Sequence, residues 1–321
     1  MKNLTELGAI IENKVGKLSY PQSPDFLYSP IEYIMGLKGK RMRPILVLMA
    51  HQLFDENLDK AISPALSIEV FHNFTLLHDD IMDKAPLRRG NATVHEKWNE
   101  NVAILSGDTM MIQAYQLLSK VDDEKLRKVL DVFSKAATEV CEGQQWDMDF
   151  ETQNNVEISE YIKMIEYKTA VLLAASLQIG GITGGASIQE QENLYEFGRN
   201  IGIAFQLKDD LLDAFGNPDT FGKQVGGDIM SNKKTYLYLK ALEAASDKQK
   251  NELEKYFSIS DTSTEKVNAV KKIFNDLKIQ SFIIDLMKEY QMRAMMHLDA
   301  IGSSNKEPLI AFSEKLMDRI S

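Results

Sequence analysis

Three aspartates, Asp79, Asp80 and Asp83, stand close together in "LLHDDIMDKAPLRRG", and an arginine pair, Arg88 and Arg89, follows across a short loop. The pattern has an echo: "DDIMD" at 79–83 returns as "DDLLD" at 209–213, which supplies Asp209, Asp210 and Asp213. At about 100° per residue, Asp79 and Asp83 point the same way one turn apart, and so do Asp209 and Asp213. Like charges at this spacing destabilise a helix by a few tenths of a kcal/mol, and the negative end of the helix dipole adds to the cost. Each cluster is embedded in apolar helix, with "FTLL" before one and "FQL" close before the other. That setting predicts a cation seated on the acids rather than water alone. Oxygen-only carboxylate sites suit Mg²⁺, which binds through one or two carboxylates plus substrate phosphates.

The basic residues point to the anion. Lys40, Arg41 and Arg43 lie in "GKRMRP", Lys168 in "YKTA", Lys223 in "FGK", and Lys233 and Lys234 in "NKKT". Singly, each reads as a solvated surface cation. Together with Arg88 and Arg89 they offer the donors that phosphate oxygens need, Arg as a planar fork and Lys as a point charge. The formal charge of -10 disfavours nucleic acid as a partner. A diphosphate held through Mg²⁺ is the reading that uses both signs of charge. No GxxxxGK[ST] loop follows a strand, and no Ser-His-Asp or Cys-His spacing is recognisable. Cys141 is expected to pack in the core. His78 either orients a metal ligand or packs.

These groups must be positioned by helices. The chain has 321 residues, 44% hydrophobic and 26% charged, ordinary for a globular protein. Between Pro86 and Pro218 there is no proline, and Ala, Leu, Met, Glu, Lys and Gln dominate, all good helix formers. Apolar residues recur at helical spacing in "LSIEVFHNFTLLHDDIMD" and "YEFGRNIGIAFQLKDDLLDAF". The expectation is an all-α bundle forming a single domain over 1–321. Loops are expected at 20–30, 36–44, 84–93 and 215–228, all dense in Gly, Pro or Asn. The stretch "AVLLAASLQIGGITGGAS" is uncharged but carries Gln178 and four glycines, so it predicts a buried helix rather than a membrane span. The first residues show no long apolar run and no small-residue cleavage site, so no signal peptide is expected. The one cysteine cannot form an internal disulfide, which fits a reducing, cytoplasmic setting.

At this point the motifs resemble those of the trans-isoprenyl diphosphate synthases, or polyprenyl synthetases. "GKRMRP", "DDIMDKAPLRRG", "GQQWD", "YKTA" and "FQLKDDLLDAFGNPDTFGKQVGGDIMSNKKT" occur in that family's order. The resemblance implies an all-α fold around a deep cavity, usually homodimeric. It implies that isopentenyl diphosphate is condensed with allylic diphosphates (dimethylallyl, geranyl, farnesyl). Asp79 and Asp83 would hold two Mg²⁺ ions and Asp209 a third, with Asp80, Asp210 and Asp213 completing the clusters. Arg88, Lys168, Lys223 and Gln206 would contact the allylic diphosphate, and Lys233 would lie near it. Lys40, Arg43, His72 and Arg89 would hold isopentenyl diphosphate. Thr169 would face the reacting carbons, and Gln144 and Asp147 would line the site. A class I terpene cyclase would need no second diphosphate site, and a non-catalytic subunit of a heteromeric synthase would have lost a cluster or the arginine pair.

Product length depends on what lies beneath the first cluster. On an ideal wheel Phe71, His72, Thr75, Asp79 and Asp83 share about 120°. Phe74 lies roughly 7.5 Å and Phe71 roughly 12 Å below Asp79. A bulky Phe74 followed by a small Thr75 resembles the family's short-chain pattern, which implies geranylgeranyl diphosphate, with farnesyl diphosphate as the alternative. The wheel aims Phe71 and Thr75 at the cavity better than Phe74.

Overall fold

A computed structural model describes residues 2–153, 155–216 and 226–317. The chain is helical, as expected. In order the elements are α1 (Leu4–Val15), α2 (Asp25–Gly36), α3 (Met42–His51), α4 (Asp59–Met82), β1 (Leu87–Arg88), β2 (Asn91–Ala92), α5 (Val94–Lys97), α6 (Glu100–Leu118), α7 (Asp123–Thr152), α8 (Ile158–Ile165), a π-turn (Glu166–Ala170), α9 (Val171–Gly184), α10 (Ile188–Phe215), α11 (Gly227–Met230), α12 (Tyr236–Ala244), α13 (Asp247–Phe257), α14 (Thr264–Asp276), α15 (Ile279–Asp299) and α16 (Glu307–Met317). Among the described residues no helix is long and apolar enough to cross a membrane.

The chain divides into two compact units, each built from separate stretches of sequence. Unit 1 takes Met1–Ser134, Ala175–Leu194 and Gly302–Leu309. Unit 2 takes Lys135–Ala174, Tyr195–Ile301 and Ile310–Ser321.

The centre of unit 1 is α4, which packs chiefly on α6 and α3. From Pro64 to Phe71 it is buried on every side, the mark of a core helix rather than an amphipathic one. The approach of α9 to α3 needs glycine. A Cβ on Gly180 would fall 2.2 Å from Val47 O, and one on Gly184 would fall 2.6 Å from His51 O. Most of the stretch 170–187, from Val171 to Gly184, is thus a buried helix, as its composition predicts.

Two expectations change. Residues 20–30 are not one loop, because α2 starts at Asp25 with Pro24 as its N-cap and runs through Pro30. A proline near a helix start removes a single backbone bond, and burial of Ile31, Ile34 and Met35 outweighs it. Cys141 is exposed on α7 rather than packed in the core. The loop at 84–93 holds a minimal ribbon, with Leu87 paired to Ala92 and Arg88 to Asn91.

Gly180→Ala is expected to lower stability by about 1–3 kcal/mol through overpacking. The check is a fall in Tm followed by circular dichroism. An unchanged Tm would mean that α9 does not need to lie this close to α3.

Candidate active site

In unit 1 the aspartates end α4, and Asp83 is its C-cap. Asp80 is buried. Arg88, brought back by the β1–β2 ribbon, donates to Asp80 Oδ1 and Oδ2 at 2.7–2.8 Å and to Asp79 Oδ2 at 3.4 Å. Burial pushes the Asp80 carboxyl up from its ordinary value, while Arg88 pulls it down. Asp80 is therefore held from inside, and Asp83 is exposed. His78 packs its ring on Phe74, with centroids 4.7 Å apart. It also lies over Gly107, where a Cβ would fall 2.3 Å from Nε2. This is a packing role.

The second anchor of unit 1 is the loop between α2 and α3. Arg41 adopts a left-handed backbone at φ 44°. Its buried guanidinium donates to Met35 O at 2.7 Å, Leu37 O at 3.1 Å and Glu69 Oε1 at 2.6 Å. Asn73 Nδ2 donates to the same Glu69 oxygen at 2.9 Å. Arg41 thus fastens the loop, while its neighbours turn to other work. Arg43 Nη1 donates to His72 Nε2 at 3.0 Å, so His72 is neutral and carries its proton on Nδ1. Burial, then Arg43, Arg89 and Arg88, hold His72 well below its ordinary value of 6.5. Burial also draws Arg43 down to about 10, with Glu69 working against the shift. Arg89 lies against Gly39, where a Cβ would fall 2.5 Å from Nη1. Lys40 is exposed beside them. The structure brings Arg43, His72 and Arg89 together around this loop.

In unit 2 a cavity of about 570 Å³ is lined by Asp147, Tyr161, Lys168, Thr169, Gln206, Asp210, Asp228 and Lys233, among others. Lys168 Nζ donates to Asp147 Oδ2, and Lys233 Nζ lies 3.8 Å from the same oxygen. Burial raises the Asp147 carboxyl, but Lys233 and Lys168 outweigh it and hold it below its ordinary value. Thr169 Oγ1 donates to Gln206 Oε1 at 3.3 Å, and Gln206 Nε2 donates to Asp210 Oδ1 at 3.4 Å. Tyr161 donates its hydroxyl to Asp210 Oδ2. Burial and the charge of Asp228 push the Asp210 carboxyl well above its ordinary value, against the Tyr161 and Gln206 bonds. Asp213 Oδ2 accepts from the Asp228 amide at 3.0 Å. Asp209 sits on α10 one residue before Asp210, outside the lining of the cavity. Lys234 is turned inward, donating to Phe150 O at 2.6 Å. Gln144 Nε2 is buried and makes no hydrogen bond among the described residues. Lys223 lies outside the described residues.

Among the described residues no three His, Cys, Asp or Glu side chains converge as a preformed metal cage. The donor set nevertheless fits Mg²⁺, which takes few protein carboxylates and completes its shell with water and phosphate. Sequence reasoning missed Tyr161, Asp228, Glu69 and three glycines, Gly39, Gly143 and Gly202. Asp228 carries a visible signal as the acid of "GGDIM" between the second cluster and "NKKT", and Gly39 and Gly143 open the quoted motifs "GKRMRP" and "GQQWD".

His72→Gln keeps an acceptor for Arg43 and tests the neutral imidazole. The folded protein binds a proton at His72 more weakly than the unfolded chain does. The stability tied to the neutral ring is therefore full above pH 6.5 and lost as pH falls below it. The wild type should lose up to about 1.4 kcal/mol per pH unit more than His72→Gln on acidification. Urea titrations between pH 7 and pH 5 measure the two slopes, and equal slopes would contradict the burial of a neutral His72.

Comparison with known proteins gives the family. Residues 24–277 match the polyprenyl synthetase family model. The chain is 47% identical over 222 residues to a geranylgeranyl diphosphate synthase of Methanosarcina mazei, covering 68% of each. It is 34% identical over 313 residues to a geranylgeranyl pyrophosphate synthase of Geoglobus acetivorans, covering 97% of this chain and 96% of that one. A crystal structure of a geranylgeranyl pyrophosphate synthase superposes with a TM-score of 0.95 at 44% identity, covering 100% of both chains. With its two aspartate-ended helices and its gathered cations, the chain belongs to the polyprenyl synthetase family and is a prenyltransferase.

Proposed function

We propose that the chain joins isopentenyl diphosphate to allylic diphosphates and stops at geranylgeranyl diphosphate. The observation that carries the reading is that two cation sets are held by different means. Arg43, His72 and Arg89 gather around a loop fastened by Arg41 and Glu69. Lys168 and Lys233 are gathered on Asp147. The first set, with Lys40, holds isopentenyl diphosphate as an intact handle. The second set, with Gln206, Lys223 and Arg88, binds the allylic diphosphate that leaves. Asp79, Asp83 and Asp209 would hold Mg²⁺, three ions in all, which neutralises the charge that builds on the departing diphosphate. Asp80 and Asp210 serve from behind, because Arg88 and Tyr161 already engage them.

The allylic C–O bond breaks and its electron pair leaves on diphosphate. The double bond of isopentenyl diphosphate attacks the allylic carbon, and a proton is lost to restore a double bond, with the released diphosphate as base. The chain's own groups bind, orient and stabilise charge as it develops. None of them acts as a nucleophile.

Chain length follows from a row of rings in unit 1. Phe74 packs on His78, Phe71 on Phe74 at 5.5 Å, Phe133 on Phe71 at 5.2 Å and Tyr115 on Phe133 at 5.0 Å. Phe71 is 1% exposed and Phe74 7%. Phe74 stands nearer the aspartates and is the proposed floor, with Phe71 and Phe133 as its backing and Thr75 beside it. Incubation with Mg²⁺, isopentenyl diphosphate and each allylic starter should give C20 after dephosphorylation. Phe74→Ala should move the main product to C25 or beyond, at a cost of about 3–5 kcal/mol in stability. A wild-type product of C15, or an unchanged product in Phe74→Ala, would remove Phe74 as the floor.

A second copy of the chain is the proposed partner. Ile104, Leu105, Met111 and Ile112 recur at helical spacing on α6, and Leu105 and Ile112 stay 60% and 59% exposed. Such an apolar stripe marks a protein contact. Light scattering should give two chains for the wild type and one for Leu105→Glu with Ile112→Glu. A one-chain wild type would refute the dimer. The reaction is placed in the cytoplasm, where Cys141 stays reduced.

A further inference from the structure

A π-turn carries Lys168 and Thr169, and two glycines flank it. We propose that Gly143 and Gly202 are positioning residues for the chemical step, seating this turn so that Lys168 and Thr169 meet the allylic substrate. The proposal rests on the prenyl-transfer reading above.

The turn at 166–170 is one residue wider than an α-helix. The Val171 amide donates to Glu166 O, five residues back. Such bulges concentrate at functional sites because they redirect side chains. The extra width must be accommodated by the helices alongside. On α7, a Cβ at Gly143 would fall 2.2 Å from Lys168 N and 2.7 Å from Lys168 Cα. On α10, a Cβ at Gly202 would fall 2.6 Å from both Cα and Cβ of Ala170. These neighbours are backbone or a lone methyl, so none can swing aside.

The register gives the contacts a chemical meaning. Asp147 stands one turn beyond Gly143 on the same face of α7, and it accepts from Lys168 Nζ. Gln206 stands one turn beyond Gly202 on the same face of α10, and it accepts from Thr169 Oγ1 at 3.3 Å. Each glycine admits the turn's backbone, and the next turn of the same helix receives a side chain from it. An added methyl would push the turn away from the partners that aim Lys168 and Thr169.

Gly184 supplies a matched control. A Cβ there would fall 2.6 Å from His51 O, at the last residue of α3, the end far from Arg43. Gly143→Ala, Gly202→Ala and Gly184→Ala are assayed with isopentenyl and farnesyl diphosphate, with folding followed by circular dichroism. The first two should lose roughly 10²-fold in kcat, the scale of a displacement near 1 Å. Their KM for isopentenyl diphosphate should stay within about threefold, because neither glycine contacts the loop that gathers Arg43, His72 and Arg89. Gly184→Ala should lower Tm and keep kcat within about threefold. Folded Gly143→Ala and Gly202→Ala with near wild-type kcat would overturn the proposal. So would an equal kcat loss in Gly184→Ala. If Gly202→Ala does not fold, the pair Gly202→Ala with Ala170→Gly takes its place. Activity within roughly tenfold of wild type would then support the proposal, and a folded, inactive pair would overturn it. Wild-type protein that makes no prenyl product would overturn the functional reading and this proposal with it. An active wild type with unaffected variants would overturn this proposal alone.

Discussion

Like charge at the negative end of a helix is the constraint on which the rest of this structure turns. Asp83 caps α4 and Asp213 lies in the last turn of α10, where the dipole already disfavours a carboxylate. The fold answers each cluster from within. Arg88 takes Asp80, Tyr161 and Gln206 take Asp210, and the Asp228 amide takes Asp213. The inner acid of each cluster is thereby fixed, and its fixed position orients the outer acids. A cluster neutralised completely by the protein would have no use for a metal. One left entirely to solvent would not hold its geometry.

Close backbone approach is the complementary device. Gly39 gives Arg89 a flat surface, Gly107 makes room for His78, and Gly143 and Gly202 admit the π-turn. In each case a functional side chain or its support occupies the volume that a methyl would fill. A bundle of this size could pack without such contacts, since helices ordinarily cross with side chains between them at 8–10 Å. These four glycines lie where charged or polar groups must be placed, whereas those of the α3–α9 contact serve the core of unit 1.

Much of this was legible in the residues. Aspartates four apart at the end of an apolar helix identify themselves by charge and period, and both clusters sit where that logic puts them. Basic loops beside glycine likewise announce an anion. What could not be read was anything that depends on contact rather than spacing. "EYKTA" has no local mark of a π-turn, because the widening comes from the helices on either side. Tyr161 looks like any apolar-face residue of "YIKMIEY" until Asp210 is beside it. Prolines at 24 and 30 suggested a loop, yet one caps α2 and the other lies within it. The polarity of Cys141's neighbours, Glu142 above all, was the available sign that it faces solvent.

The division of cation types follows the chemistry proposed for each unit. Around the loop at 37–41 the cations are chiefly arginines, planar forks that stay charged at neutral pH and that match a diphosphate whose charge stays constant. Their partner His72 is kept neutral, so it adds a hydrogen-bonding group without adding charge to an already cationic pocket. Around the cavity of unit 2 the cations are lysines on a shared carboxylate. An ammonium on a flexible stem could leave Asp147 and follow oxygens that gain charge during the proposed reaction, acting as a point charge that needs no fixed plane. Asp147 pairs with Lys168 and Lys233 at the cavity wall, and in the proposed reaction a more strongly charged anion would displace it.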